Sequence, residues 1–108
     1  MTFQLGASLL DACVLAILHH GDVYGYKLTQ EVKTLMQVSE STLYPVLRRL
    51  KNEGCLKTYD EEHMGRYRRY YRLTEKGRER YSFYVKEWQA FRCRIDAVLM
   101  EGENEDEA

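Results

Sequence analysis

The hydrophobic period of this chain changes at Gly54, and the change limits the folds that are open to it. Up to Gly54 the apolar residues recur at helical spacing in three segments, and beyond it they alternate in short stretches until Leu73. Helical spacing returns from Thr74 onward. A chain of 108 residues has room for one hydrophobic core and too little for a catalytic domain beside it. The order of periods predicts three helices, a β-hairpin and a last helix.

The three predicted helices differ in how much of their surface is apolar. The first, from Leu5 to His20, is apolar on most sides and ends at Gly21. The second, from Tyr24 to Met36, has one apolar face. The third starts after a serine N-cap, either Ser39 or Ser41. Its apolar residues recur at i, i+3, i+4 and i+7: Leu43, Val46, Leu47 and Leu50. The first helix has more apolar surface than a small domain usually covers, which favours a second subunit.

Residues 55–73 are typical of a β-hairpin. A short strand at 55–60 precedes a polar turn at 60–65, and a second strand follows at 66–73. Its alternation gives two faces: Tyr67, Tyr71 and Leu73 on one, and Arg66, Arg68, Tyr70 and Arg72 on the other. In a winged helix-turn-helix the third helix enters the DNA major groove, and the hairpin tip touches the backbone or minor groove. The predicted fold is therefore mainly α with a small β-hairpin, a winged helix-turn-helix plus one long C-terminal helix.

The last helix carries the most regular pattern in the sequence. Six apolar residues are separated by 3, 4, 3, 4 and 3 positions, a period typical of a coiled-coil seam. A seam on a helix that extends beyond the core needs a partner surface, and a second copy of the chain is the simplest source. We therefore predict a homodimer. Its predicted interface comprises Leu9, Cys13, Tyr81, Tyr84, Trp88, Phe91, Ile95 and Val98.

The charges are unevenly distributed along the chain. The formal net charge is −1, but residues 42–78 contain ten Lys or Arg and five Asp or Glu. The last eight residues contain five acids and no base. Since only the local field meets a bound polyanion, the basic middle suits nucleic acid despite the overall charge. We divide the chain into a winged helix-turn-helix domain at 1–74, a dimerisation helix at 75–100 and a disordered acidic tail at 101–108.

The outer face of the third helix and the predicted wing carry residue types that suit double-stranded DNA. Hydroxyls can bind phosphates or base edges, and an arginine fork can grip phosphate or guanine. Arginines on a short helix are often only a solvated surface. Four further arginines crowd the wing, however, and their mutual repulsion in the free protein favours a polyanionic partner. Tyr67 and Tyr71 are expected to pack on the core. The predicted DNA-binding residues are Ser41, Thr42, Tyr44, Arg48, Arg49, Arg66, Arg68 and Tyr70.

Two other classes of function are open to a chain of this kind. A winged helix used for protein contact would present an apolar or mixed outer face on the third helix, whereas here arginines accompany an arginine-rich wing. An enzyme would need acid, base, nucleophile or metal ligands converging in a concave site. The acids at 60–62 instead form a run in a predicted loop, without metal-ligand spacing to the histidines. We predict no catalytic residues, no cofactor and no metal site.

The cysteines and the N-terminus bear on the compartment. Cys13, Cys55 and Cys93 are far apart and lack metal-ligand spacing, so we expect reduced thiols, either as small buried hydrophobes or with one as a redox sensor. No apolar run approaches the roughly 20 residues that span a bilayer. The first residues lack the pattern of a signal peptide. We therefore expect a soluble cytoplasmic protein.

Four segments together resemble the PadR family of transcriptional regulators. They are Tyr24-Gly25-Tyr26, the run Ser41-Thr42-Leu43-Tyr44-Pro45-Val46-Leu47-Arg48-Arg49-Leu50, Gly54, and residues 65–77, from Gly65 through the arginines and tyrosines of the wing to Thr74-Glu75-Lys76-Gly77. The resemblance covers roughly residues 9 to 80. It departs from the family pattern at Cys55, where an aliphatic residue is usual, and at His63 and Met64 in the wing loop.

The resemblance implies a repressor that binds an inverted-repeat operator as a dimer, often near its own gene, and responds to a small molecule. By the same resemblance, Ser41, Thr42, Tyr44 and Arg48 occupy recognition-helix positions, and Arg66 and Arg68 occupy wing positions. Trp88 and Phe91 resemble an aromatic pair that, in some small-tailed relatives, lines a cavity between subunits and stacks on flat apolar ligands. The alternative is that both rings simply fill the dimer core.

Overall fold

A computed structural model describes the backbone of residues 7–107 and the side chains of residues 8–102. The elements are α1 (Ala7–His19), β1 (Val23–Tyr24), α2 (Gly25–Met36), α3 (Glu40–Asn52), β2 (Leu56–His63), β3 (Arg66–Leu73) and α4 (Glu75–Glu107). The predicted fold class is confirmed: the described chain is mainly α, with one small antiparallel sheet, in a winged helix-turn-helix arrangement. The predicted start of the first helix, Leu5, lies outside the described residues.

The sheet has one strand more than the sequence predicts. Its order is β1-β3-β2, and β1 joins the hairpin by pairing Val23 with Tyr71 and Tyr24 with Tyr70. A strand of two residues is too short to show alternation, so the sequence pattern assigned Tyr24 to the second helix. Because β1 pairs with β3 and leads directly into α2, the first turn of α2 lies beside the wing.

The hairpin is longer than predicted, and the predicted polar turn at 60–65 is wrong. Residues 60–63 belong to β2. Its three acids pair across the ladder with long side chains of β3: Asp60 with Arg69, Glu61 with Arg68 and Glu62 with Tyr67. The turn itself consists of Met64 and Gly65, with φ angles of 53° and 79°. Two consecutive positive φ values are those of a type I′ turn, whose twist matches the strands of a hairpin.

The core lies around α1, which packs against α2, α3, α4 and β3. Its largest fully buried side chains come from the first three helices and the residue before β2: Leu15, Leu28, Leu43, Leu50, Val14, Val32 and Cys55. Cys55 therefore occupies a core position, and burial raises the pKa of its thiol. Cys13 is half-buried and Cys93 exposed.

The junction between the wing and α4 depends on a glycine. Thr74 caps α4, because its hydroxyl accepts a hydrogen bond from the Gly77 amide at 3.0 Å and donates to the Gly54 carbonyl. A Cβ at Gly77 would collide with the carbonyl oxygen of Cys55 and lie 2.6 Å from Leu73 Cδ1. Only glycine lets the first turn of α4 approach the start of β2 so closely.

Beyond Phe91, α4 extends away from the other elements. The structure, including α4, measures 65 Å along its longest axis. Phe91 packs against the core, whereas Ile95 is 41% exposed and Val98 69% exposed. The backbone is helical through Glu107, where the acidic composition predicts disorder. The side chains of 103–107 and the whole of residue 108 lie outside the described part, and the three-part division of the chain stays a prediction.

The replacement Gly77→Ala is expected to lower the free energy of unfolding by about 3 kcal/mol, because a backbone carbonyl cannot move aside for the new methyl group. Gly102→Ala is the matched control in the same helix, since a Cβ there meets no atom of the described residues within 4 Å. It is expected to change stability by less than about 1 kcal/mol. Urea denaturation followed by circular dichroism measures both, and equal effects of the two changes would contradict the packing argument.

Candidate nucleic-acid interface

The start of α3 presents a cluster of exposed hydroxyls. Ser39 is the N-cap, which decides between the two predicted serines, but its hydroxyl makes no hydrogen bond to the helix backbone. Instead, Ser39 Oγ lies 2.8 Å from Ser41 Oγ and 3.2 Å from Thr42 Oγ1. The amides of the first helical turn carry a partial positive charge. Hydroxyls and amides at one exposed helix end form a surface suited to a phosphate group.

The orientation predicted for α3 is confirmed in the core. Leu43, Leu47 and Leu50 are buried. The outward side carries exposed polar and aromatic residues, namely Ser41, Thr42, Tyr44, Pro45 and Arg48. Because Pro45 has no amide hydrogen, the Ser41 carbonyl also lacks its usual helical donor. The N-terminal half of α3 is thus rich in groups free to bind a ligand outside the protein.

The two neighbouring arginines of α3 have different environments. Arg48 is exposed and makes no ion pair with any residue in the range 8–102. The Arg49 guanidinium instead donates to the carboxylate of Asp11, which is 3% exposed, and also contacts Glu53. The hydrogen bond to Asp11 raises the pKa of Arg49. The structure thus ties the Arg49 guanidinium, whose side chain is 42% exposed, to acids of the same protomer, instead of leaving it free on the surface for which the sequence proposed it.

A groove of about 230 Å³ separates the start of α2 from α3 and β3. Gly25 lies against β3, where a Cβ would be 3.4 Å from Tyr71 Cε1. The rim carries Tyr26, 68% exposed, and Tyr44, 46% exposed, with Arg69 on the β3 side. Tyr26 and Arg69 were absent from the predicted set. The alternation of β3 already placed Arg69 on the face of Tyr71, so this residue could have been found from the sequence.

All three predicted wing residues, Arg66, Arg68 and Tyr70, lie on the opposite face of β3. Tyr70 stacks on Tyr59 with 5.4 Å between ring centroids, and the Arg68 guanidinium lies 4.7 Å from the centroid of Tyr24. Successive side chains of a strand point to opposite faces, so Arg68 and Tyr70 point away from the groove beside α3. The structure brings together Ser41, Thr42, Tyr44 and Arg48, and separates Arg68 and Tyr70 from them.

Tyr67 does not pack on the core as expected. It shares the face of Tyr71, which is half-buried beside α2, but lies closer to the turn and is 77% exposed. Its cross-strand neighbour is Glu62. The tip of the wing, from Glu62 to Tyr67, is thus a free-standing polar ribbon.

The charges of the wing are partly balanced in the free protein. Arg69 Nε lies 3.4 Å from Asp60 Oδ1, and Glu61 lies opposite Arg68 in the ladder. The mutual repulsion expected among the wing arginines is therefore offset by the acids of β2. At the tip, Arg66 lies opposite His63 and forms no ion pair with any side chain of residues 8–102. Arg66 is the wing arginine most available to an anionic ligand.

A second, apolar groove of about 200 Å³ lies between α1 and α4. Its lining contains five of the predicted dimer residues, Leu9, Cys13, Tyr81, Tyr84 and Trp88. Phe91 stacks on Trp88 with 6.2 Å between centroids. Tyr84 is only 3% exposed, so most of this side chain belongs to the core of the protomer. Its hydroxyl donates to Asp11 Oδ2 at 3.2 Å.

Two other kinds of site receive no support from the described residues. Among them, no three His, Cys, Asp or Glu side chains lie close enough to hold a metal ion. Within 7–107, no helix combines the length and the apolar character needed to cross a lipid bilayer.

Comparison with known proteins gives consistent matches. The profile of the Transcriptional regulator PadR-like family matches residues 14–82. A transcriptional regulator of Mycobacterium tuberculosis is 46% identical over 68 residues, which cover 59% of this chain and 64% of that protein. The crystal structure of a Streptococcus mutans protein superposes with a TM-score of 0.82 at 39% identity, covering 93% of this chain and 94% of the other. A PadR-like transcriptional regulator from Bacillus cereus gives a TM-score of 0.77 at 29% identity, covering 84% and 91%.

Replacing the two arginines of α3 by alanine, one at a time, should have unequal consequences for stability. Arg49→Ala is expected to lower the free energy of unfolding by about 2 kcal/mol, because it leaves the buried Asp11 carboxylate without its charged donor. Arg48→Ala is expected to change it by less than about 0.5 kcal/mol, as is usual at exposed positions. Denaturation in urea measures both values. A large loss for Arg48→Ala, or none for Arg49→Ala, would show that their environments were misassigned.

Proposed function

Since the chain belongs to the PadR-like family of transcriptional regulators, we propose that it represses transcription by binding an inverted-repeat operator as a homodimer. Members of this family regulate transcription and are not enzymes. The observation that carries the proposal is the asymmetry of α3, whose outer side is exposed and polar in its first turns while Arg49, near its C-terminal end, is held by the buried Asp11 of the same protomer. Such a helix can enter a major groove by its first turns without losing its support.

The proposed contacts of α3 follow from the chemistry of its outer side chains. Ser41 and Thr42 donate to phosphate oxygens, together with the amides at the helix start. Arg48 is long enough to reach base edges and matches the two acceptors of guanine or a phosphate. Tyr44 supplies an apolar ring and a hydroxyl beside the wing. An outer face of this polarity favours DNA over a protein partner.

The proposed wing contacts centre on Arg66 and Arg69. Arg66, at the tip, binds the DNA backbone, and Arg69 extends the surface of Tyr44 and Tyr26 across the groove. A phosphate that binds Arg69 displaces the Asp60 carboxylate, so this contact contributes less binding free energy than one made by an unpaired arginine. Arg68 and Tyr70 support the wing from its other face, where they stack on tyrosines.

The proposed dimer is formed by α4 together with α1. The seam continues past the protomer core into Ile95 and Val98, and large apolar side chains exposed on one helix suit burial by a second copy. A two-fold axis then places two recognition helices in successive major grooves, about 34 Å apart. We also assign the protein to the cytoplasm, where its DNA is found.

A small apolar effector is part of the proposal. The groove between α1 and α4, with Trp88 beside Phe91, offers a flat aromatic surface of the right chemistry. A ligand that prefers one arrangement of the two protomers shifts operator affinity by that preference. Complete filling of the groove by the partner subunit is the competing outcome, and it predicts a dimer that binds no such ligand.

A fluorescence-anisotropy titration tests the DNA contacts. The protein is titrated into labelled duplex from its own promoter and into a scrambled duplex, at two salt concentrations. Tight and salt-sensitive binding that prefers the promoter, with two protomers per site, is expected. Weak binding without preference, measured on several candidate promoters, would contradict the proposal.

The same titration with Arg66→Ala isolates the wing. This change is expected to weaken binding to every sequence and to reduce the slope of log affinity against log salt by about one. Arg72→Ala is the matched control, because it removes the same charge from the same face of β3, where Arg72 already pairs with Asp22 at 2.9 Å. An equal loss of slope in both variants would argue against a specific role for the wing tip.

The dimer seam is tested by placing a charge on it. Val98→Asp is expected to raise the dimer dissociation constant at least about tenfold, because it buries an unpaired carboxylate. Ala97→Asp adds the same charge one residue away, off the seam, and is expected to leave dimerisation nearly unchanged. Sedimentation equilibrium distinguishes these outcomes, and a Val98→Asp protein that dimerises like the unmodified chain would place the interface elsewhere.

A further inference from the structure

Five side chains from three helices are joined by hydrogen bonds where α3 meets α1 and α4. Asp11 of α1 accepts from Arg49 at 2.5 Å through one oxygen and from the Tyr84 hydroxyl at 3.2 Å through the other. Glu53, the C-cap of α3, accepts from Arg49 at 3.4 Å and from Arg80 at 2.5 Å. Arg80 and Tyr84 are four residues apart on α4, so the contacts close a ring through α1, α3 and α4.

Asp11 is the buried member on which this ring depends. It is 3% exposed, and a buried carboxylate is tolerated only while its oxygens are hydrogen-bonded. One Asp11 oxygen accepts a hydrogen bond from Arg49 of α3, and the other accepts one from Tyr84 of α4. Loss of either donor would therefore leave one oxygen of the buried carboxylate without its hydrogen bond. Burial, followed by the nearby Asp11 charge, raises the pKa of Tyr84 to about 12. The hydroxyl therefore stays protonated and able to donate at neutral pH.

Tyr84 belongs to a second surface as well. Its ring lines the apolar groove between α1 and α4, together with Leu9, Cys13 and Trp88. A group that enters this groove, from a second subunit or from a ligand, meets the ring whose hydroxyl is bound to Asp11. A displacement of that hydroxyl changes the set of donors around Asp11, and the next donor is Arg49 of α3.

We propose that Asp11 is a positioning residue that couples the α1–α4 groove to the orientation of α3. This inference rests on the proposed function, in which α3 enters the DNA. With Tyr84 and Arg49 both bound, Asp11 holds the C-terminal half of α3 in one position against α4. When the groove is occupied so that the Tyr84 hydroxyl moves, Asp11 and Arg49 rearrange together and α3 turns with them. The coupling is reciprocal, so DNA bound at α3 also alters the groove.

The single tryptophan makes this reciprocity measurable. Trp88 lines the groove, so its emission reports on the groove while DNA binds at α3. The duplex is one selected from random-sequence DNA by the unmodified protein, and anisotropy of the labelled duplex reports binding independently of emission. The test variant is Tyr84→Phe, which keeps the ring and removes only the hydroxyl.

Saturating duplex is expected to shift the Trp88 emission of the unmodified protein. Tyr84→Phe is expected to bind the duplex about 5- to 10-fold more weakly and to lose most of that shift. Tyr59→Phe is the matched control, since it also removes a hydroxyl that donates to a carboxylate, that of Asp22 at 2.7 Å, but lies outside the α1–α4 groove. It is expected to behave like the unmodified protein. Asp11→Asn provides a second test variant with the same expected loss of shift, in case one of the two fails to fold.

Two results would overturn the coupling while leaving DNA binding established. One is duplex binding by the unmodified protein with no change in Trp88 emission. The other is a Tyr84→Phe protein that binds the duplex and retains the full emission shift. Failure of the unmodified protein to bind any duplex by anisotropy is a different result, which would overturn the proposed function and the coupling with it.

Discussion

The rest of the structure is arranged around α1, a helix so apolar that almost every other element is needed to cover it. Val14 and Leu15 are fully buried, and α2, α3, α4 and β3 all pack against this helix. The packing of α3 and α4 against α1 sets the position of these two helices relative to each other. Hydrophobic contact alone fixes such positions loosely, because it has no direction. The buried Asp11 supplies direction, since its two oxygens accept from one group on α3 and one on α4.

The division of α3 into a held end and a free outer face follows from this arrangement. Its C-terminal end is held through Arg49 and Glu53, and its outer face projects the hydroxyls of the first turn and Arg48. The wing shows a similar division. The base of the wing is fixed by pairing with β1 and by stacked tyrosines, whereas its tip is exposed and carries Arg66. In both places a rigid support holds a free polar end, the arrangement that specific recognition of DNA requires.

Much of the fold could be predicted from the sequence because it depends on hydrophobic period. The helices, the hairpin and the buried face of α3 all follow from the spacing of residues such as Leu43, Leu47 and Leu50. The misses have a different cause. β1 is too short to alternate, and the acids at 60–62 look like a loop until β3 is placed opposite them. Arg48 and Arg49 are indistinguishable in the sequence, and only the position of Asp11, 38 residues earlier, separates their roles.

In the proposed dimer, α3 and the wing of the two protomers bind DNA as a symmetric pair. Selection of random-sequence duplexes by the purified protein, followed by sequencing of the bound pool, tests it most directly. The expected result is enrichment of an inverted repeat whose half-sites are about 10 base pairs, one helical turn, apart centre to centre. A pool with no enriched sequence, or with a single unrepeated half-site, would contradict it.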